Sequence, residues 1–247
     1  MKVISFGIRN GKEMLRDRLN LFFGVGFPVV LLLLLTMIQS NVPVELFAID
    51  KLAPGAAVFG LSFISLFAGL VIAKDRGSSL ILRLLASPMK AGDYILGYTL
   101  PLLPMAAAQI AVCFLVSVCL GLGLSGRILL ALLVLLPAAI VYIALGLLCG
   151  SLFNDKQVGG VCGALLTNLS AWLSGTWFDP KLVGGVFETI ADCLPFSHAV
   201  NAGRYALTGQ YGQILPELWW VLGYGAVLLI LASWAFTRKT MGSGGNP

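Results

Sequence analysis

Gly55-Ala56-Ala57-Val58-Phe59-Gly60-Leu61-Ser62-Phe63-Ile64-Ser65-Leu66-Phe67-Ala68-Gly69-Leu70-Val71-Ile72-Ala73 runs without a charge and breaks abruptly into Lys74-Asp75-Arg76-Gly77. A helix of that length crosses the roughly 30 Å hydrocarbon core of a bilayer. Similar charge-free runs lie near 20–39, 94–122, 128–153, 158–178 and 218–236. The reading is all-α, a polytopic membrane protein with six transmembrane helices in a single transmembrane domain over 1–247. Composition agrees, since 58% of the 247 residues are apolar and only 11% charged. Mean hydropathy is +0.94. A water-facing domain carries roughly a quarter charged residues, so lipid is the solvent here.

Charge placement gives the orientation. The segments 1–19, 74–93, 154–157 and 237–247 hold 12 of the 16 Lys and Arg, and the alternate connections hold 4. Basic residues concentrate on the cytoplasmic side, which predicts both termini in the cytoplasm and an even number of spans. The net charge of +5 is thus an orientation signal and not a nucleic-acid patch. The first run resembles a signal peptide in its basic flank, but its apolar part is too long and Ile38-Gln39-Ser40 offers no small-x-small cleavage pattern.

Before the first run, Ile4, Ile8, Leu15 and Leu19 cluster on one side of a helical projection, and Arg9, Lys12, Glu13 and Arg16 on the other. That pattern predicts an interfacial amphipathic helix over 1–19. Phe6 and Arg18 break it; the competing reading is an unstructured basic tail. Beyond Gly77 the chain continues Ser78-Ser79-Leu80-Ile81-Leu82-Arg83-Leu84-Leu85-Ala86-Ser87-Pro88. In a helix Arg76, Ser79 and Arg83 share one face, while Leu80 and Leu84 share another, and Pro88 stops it. This helix within 74–93 is too short and charged to span, so it lies at the cytoplasmic surface, either as an interfacial loop or as a docking element.

Between the last two runs, 179–217 is long and half apolar. Its two short apolar stretches, split by Pro195, fit a re-entrant segment at the outer side, with Trp219 and Trp220 at the interface beyond.

Chemistry is sparse. No G-x-x-x-x-G-K-[ST] phosphate loop is present, so the chain does not hydrolyse ATP in that way. His198, the single histidine, with Cys193 and Asp192 makes a weak metal or nucleophile pattern, and a turn-capping role explains it as well. Of the five cysteines, four lie in apolar runs, so no disulfide framework is implied. Small residues pair at four-residue spacing at Gly146/Gly150, Gly159/Gly163 and Ala171/Gly175, which permits close helix contact. Thr167, Ser170 and Ser174 form a hydroxyl stripe, with Asn168 beside it, facing either a wet path or a neighbouring helix. No run contains an ionisable group, which leaves proton or voltage coupling without a carrier.

The layout, with Lys74-Asp75-Arg76-Gly77 through Leu84-Leu85-Ala86-Ser87-Pro88 and Leu194-Pro195-Phe196-Ser197-His198-Ala199, resembles permease subunits of type-2 ATP-binding-cassette (ABC) exporters. The first stretch is similar to that family's coupling helix, with Ser78 and Ser79 where the family usually has Thr and often an acidic residue. The second is similar to its Leu-Pro-x-Thr-His element. The resemblance implies a multi-pass subunit of a plasma membrane, in a bacterium, which pairs with a second permease subunit as a homo- or heterodimer and with a separate ABC-type ATPase. ATP and Mg would sit in that ATPase, with no cofactor in this chain. Asp75, Arg76, Gly77, Leu80, Arg83 and Leu84 would couple to it. The hydroxyls of Thr167, Ser170 and Ser174 would line the substrate path, and Pro195 and His198 would belong to an outer gate. The alternatives are an ATP-independent membrane channel or carrier, and a membrane assembly factor or intramembrane enzyme. The last would require inward-facing catalytic groups, which the chain lacks outside 188–204.

Overall fold

The computed structural model describes residues 2–42, 47–78 and 91–241, and no strand occurs among them. Helix α1 (Lys2–Arg16) precedes α2 (Arg18–Leu21), a π turn (Phe22–Gly26) and α3 (Phe27–Gln39), which follow one another without a break. Then come α4 (Ile49–Arg76), α5 (Ala91–Cys119) and α6 (Gly126–Leu152). A run of α7 (Asp155–Val158), a π segment (Gly159–Leu166) and α8 (Thr167–Leu173) is next. The hairpin of α9 (Gly185–Cys193) and α10 (Pro195–Thr208) leads into α11 (Ile214–Met241). Leu80, Arg83 and Leu84 lie outside the described residues.

Among the described residues five helices are long and apolar enough to cross a membrane: Phe22–Gln39, Ile49–Arg76, Gly92–Cys119, Gly126–Leu152 and Tyr211–Lys239. The expected span over 158–178 is shorter than its charge-free run. Asn154 starts the helix with a capping box, its side chain accepting from Gln157 N–H while the Gln157 side chain accepts from Asn154 N–H. Gly175, at φ +71°, stops it after Leu173. The result is a helix of roughly 28 Å at 1.5 Å per residue that carries Asp155, Lys156, Gln157 and Asn168. It still passes from one end of the bundle to the other, because Val158 lies against Gly69 and Thr176 against Gly55. The last helix outgrows its charge-free run at both ends, and so does α4, which takes in Asp50 and Lys51 at one end and Lys74, Asp75 and Arg76 at the other.

Helix α4 is the centre of the bundle. Within its apolar window 83% of residues are buried, against 17% for the last span. It packs on α3, α5, α6, α10 and the 159–173 run. The tightest contact is with α6. A Cβ on Gly146 would sit 2.0 Å from the Ser65 carbonyl oxygen, and one on Gly150 2.3 Å from that of Gly69. Only the absence of side chains lets these two backbones meet. The other small pairs do different work. Gly159 faces open space, Gly163 meets only the flexible end of Leu66, and Gly175 serves as the helix stop.

Two ends follow from these contacts. One end, marked by Arg76, gathers α1, the start of α5, the end of α6 and the end of α11; Phe236 packs on Tyr94 at 5.5 Å and Phe6 on Tyr98 at 4.9 Å. The other end, marked by Arg204, gathers the start of α4, the residues after α8 and the α9–α10 hairpin. The connections rich in Lys and Arg share the first end. Outward faces are apolar where lipid or a neighbour would stand, as at Phe22, Met37, Leu115, Ile230 and Trp234.

Helix α1 forms with its expected apolar face outward and adds a second, buried face. Ile4, Ile8 and Leu15 are exposed, while Phe6, Asn10 and Met14 are buried against α5. Phe6, which breaks the simple pattern, is the anchor. The third face exists because the helix packs on protein as well as presenting an apolar and a charged side outward.

Candidate functional site

At the Arg76 end, the last turn of α4 is fastened to three other helices. Asp75 is 5% exposed. It accepts a hydrogen bond from the Tyr98 hydroxyl of α5 at 2.8 Å. It also stands 3.7 Å from the Arg9 guanidinium of α1, which pairs with Glu13 one turn on at 3.1 Å. Arg76 donates from Nη1 to the Gly150 carbonyl at 2.7 Å and to that of Phe153 at 3.3 Å. These carbonyls close α6, and a cation at a helix C-terminus meets its partial negative charge. Gly77 caps α4 with its N–H on Ala73 O. Asp75 and Arg76 therefore face their own chain, and what they hold is the point where the 78–90 segment begins. Tyr98 and Arg9 carry no signal in the sequence, since the contacts join positions 23 and 66 residues from Asp75. The break at Phe6 was the clue that α1 packs on protein.

At mid-bundle, the hydroxyl stripe divides. Ser170 is fully buried and hydrogen-bonded to the Tyr142 hydroxyl. Ser174 pairs with Thr176 at 2.6 Å. Thr167 donates to Cys162 O at 3.0 Å and, with Asn168, borders a groove of about 430 Å3 walled by Phe27, Phe59 and Phe63. Only Thr167 of the three reaches that surface. Spacing placed all three on one face, but the end of α8 is enclosed by α6 and the residues after Gly175.

At the Arg204 end, Pro195 opens α10 as its first residue and Ser197 donates to Ala191 O at 2.7 Å, which closes the hairpin turn. His198 ties the hairpin to α11. Its Nε2–H donates to Asp192 O at 2.7 Å, and Nδ1 faces the Glu217 carboxylate. The ring lies parallel to Trp220 with centroids 5.2 Å apart, and Tyr224 donates to Cys193 O at 2.6 Å. Both ring nitrogens are engaged, which leaves neither for a metal. Among the described residues no group of three or more metal-binding side chains occurs.

Two acceptors on one imidazole favour the doubly protonated ring. Burial opposes the charge, but the Glu217 hydrogen bond, the Asp192 carbonyl and the nearby carboxylates outweigh it and hold His198 above its ordinary 6.5. A pKa raised on folding contributes stability that is complete below 6.5 and disappears as pH rises through the raised value. Thermal stability of the purified protein is expected to fall across that alkaline-going window, and His198→Gln to flatten the profile. An unchanged slope in His198→Gln would remove His198 as its source.

Nearby, Arg204 is half-buried. Burial lowers its pKa while Asp179 and Asp50 act the other way, and it stays charged. Nη2 donates to Gly175 O at 2.7 Å and Nε to Lys51 O at 3.2 Å, so one side chain of α10 fixes the ends of two other elements. It borders a cavity of about 440 Å3.

No curated protein matches the chain. The model of the family described as ABC-2 type transporter matches residues 2–208. That match covers most of the chain and agrees with an all-helical bundle of membrane-crossing length, so the chain belongs to the ABC-2 type transporter family and is a transmembrane subunit of such a transporter.

Proposed function

We propose that this chain is the membrane-spanning half of an ATP-driven exporter and couples to a separate ABC-type ATPase through residues 74–88. The observation that carries the reading is the fastening of Asp75 and Arg76. A push on the segment that follows them reaches α4 directly, α1 and α5 through Arg9 and Tyr98, and α6 through the Gly150 and Phe153 carbonyls. A rigid junction of this kind transmits displacement instead of absorbing it. In this reading the chain crosses six times, both termini are cytoplasmic, the Arg76 end lies inside and the Arg204 end outside, which the Lys/Arg bias of the connections supports. A second copy or a homologous subunit completes the pathway, with the Thr167–Asn168 groove on its wall and the α9–α10 hairpin as its outer gate. ATP and Mg belong to the ATPase.

The test is Leu84→Asp. In this reading Leu80 and Leu84 of the expected 75–88 helix would form the apolar docking face, and an unpaired carboxylate buried there would cost about 3–5 kcal/mol. The variant is expected to insert normally and to lose the ATPase during purification. Full retention of the ATPase by Leu84→Asp would overturn the docking assignment.

A further inference from the structure

The groove at mid-bundle and the cavity at the Arg204 end are continuous in their lining. Trp177 and Phe178 border both. The groove side is apolar and aromatic, with Phe27 and Phe63 at 5.4 Å, Phe59 and Phe63 at 5.8 Å, and Phe59 and Trp177 at 5.9 Å. The cavity side is charged, with Lys51 and Arg204 of one sign and Asp50 and Asp179 of the other.

Asp179 and Asp50 stand close enough to favour the charge of Arg204, yet among the described residues none of the four closes into a direct ion pair. Arg204 spends Nε and Nη2 on backbone carbonyls, and Nη1 has no hydrogen bond among the described residues. Asp50 and Asp179 each use one oxygen, Oδ1, on the N–H of Lys51 and Lys181 at 3.0 Å. Their second oxygens have no partner among the described residues. A cavity with unpaired donors and unpaired carboxylate oxygens is completed by a ligand that carries both charges. A purely anionic ligand meets two carboxylates there, and a purely cationic one meets Lys51 and Arg204.

We propose that the groove and cavity form one site for a zwitterionic membrane phospholipid. Its chain lies against Phe27, Phe59 and Phe63, its phosphate is taken by Arg204 and Lys51, and its amine by Asp50 and Asp179. The inference rests on the exporter reading only for calling this ligand a substrate; the binding itself stands without it.

The experiment is native mass spectrometry of the full-length chain, purified with whatever subunits accompany it. It is stripped of lipid and then exposed to equal amounts of phosphatidylethanolamine and phosphatidylglycerol with the same acyl chains. The wild type is expected to retain phosphatidylethanolamine about tenfold more than phosphatidylglycerol. Lys51→Gln, at an exposed position, is expected to lower retention of both. Asp179→Asn keeps the Oδ1 acceptor for Lys181 N–H and is expected to shift the preference towards phosphatidylglycerol. Equal retention of the two lipids by the wild type overturns the proposal, as does a preference unchanged in both variants. The presence or loss of an ATPase in the same spectra is a separate readout, so failure of the lipid site and failure of the exporter reading are distinguishable.

Discussion

Gly150→Ala is expected to prevent stable assembly of the bundle although it adds a single methyl group. The new Cβ would stand 2.3 Å from the Gly69 carbonyl oxygen and 2.9 Å from its Cα. The obstacle is backbone, so no rotamer change relieves it, and α4 and α6 must separate. Overpacking of a core by one group costs about 1–3 kcal/mol where side chains can yield; here the cost lies at or above the top of that range. Separation would also strip the Gly150 carbonyl from Arg76. Gly223→Ala is the control, because nothing lies within 4 Å of its Cβ position in the middle of α11. Helix propensity alone makes that change favourable by up to ~1 kcal/mol. Size-exclusion profiles and melting temperatures of the two variants check the contrast. Normal behaviour of Gly150→Ala would mean that the α4–α6 contact is looser than described.

Tyr98→Phe is the second large effect. It removes the hydroxyl that satisfies Asp75 and leaves a 5% exposed carboxylate with Arg9 alone, at 3.7 Å. An unsatisfied buried charged acceptor costs about 1–3 kcal/mol or more. Arg9→Gln is expected to cost less, about 1 kcal/mol or under, because the Arg9 side chain is 41% exposed and its contact is long. The order is the discriminating feature. Chemical denaturation of the two variants and of the double variant measures it, and a larger loss for Arg9→Gln would make the ion pair the main support of Asp75. Both variants are also expected to weaken the dependence of ATP hydrolysis on the permease, since the link from α4 to α1 and α5 passes through these atoms.

Five of the six expected crossings were legible in the sequence because lipid forbids charge. Runs such as 55–73 and 128–153 announce themselves by what they lack, and the Lys/Arg bias groups connections that the bundle does gather at one end. The ends of the helices were less legible. A helix continues into polar residues when its neighbours satisfy them, as α4 does through Asp75 and Arg76. It stops inside an apolar run when a glycine adopts positive φ, as after Leu173. The outward face through Ile4, Ile8 and Leu15 is legible from spacing, whereas the buried face through Phe6, Asn10 and Met14 depends on α5, more than eighty positions away. Ser170 shows the same limit. Its spacing from Thr167 and Ser174 was correct, and its burial against Tyr142 was beyond the reach of spacing.

The central claim is that displacement of an ATPase is delivered to the bundle at Asp75 and Arg76. Purification of the tagged full-length chain from its membrane in mild detergent, with identification and stoichiometry of every bound protein, tests it most directly. The account predicts one ABC-type ATPase subunit per permease chain, two permease chains per complex, and ATP hydrolysis that changes when Arg76→Gln loosens the hold on the Gly150 carbonyl. A chain that purifies without any ATPase, or an ATPase whose hydrolysis is indifferent to that substitution, would contradict it.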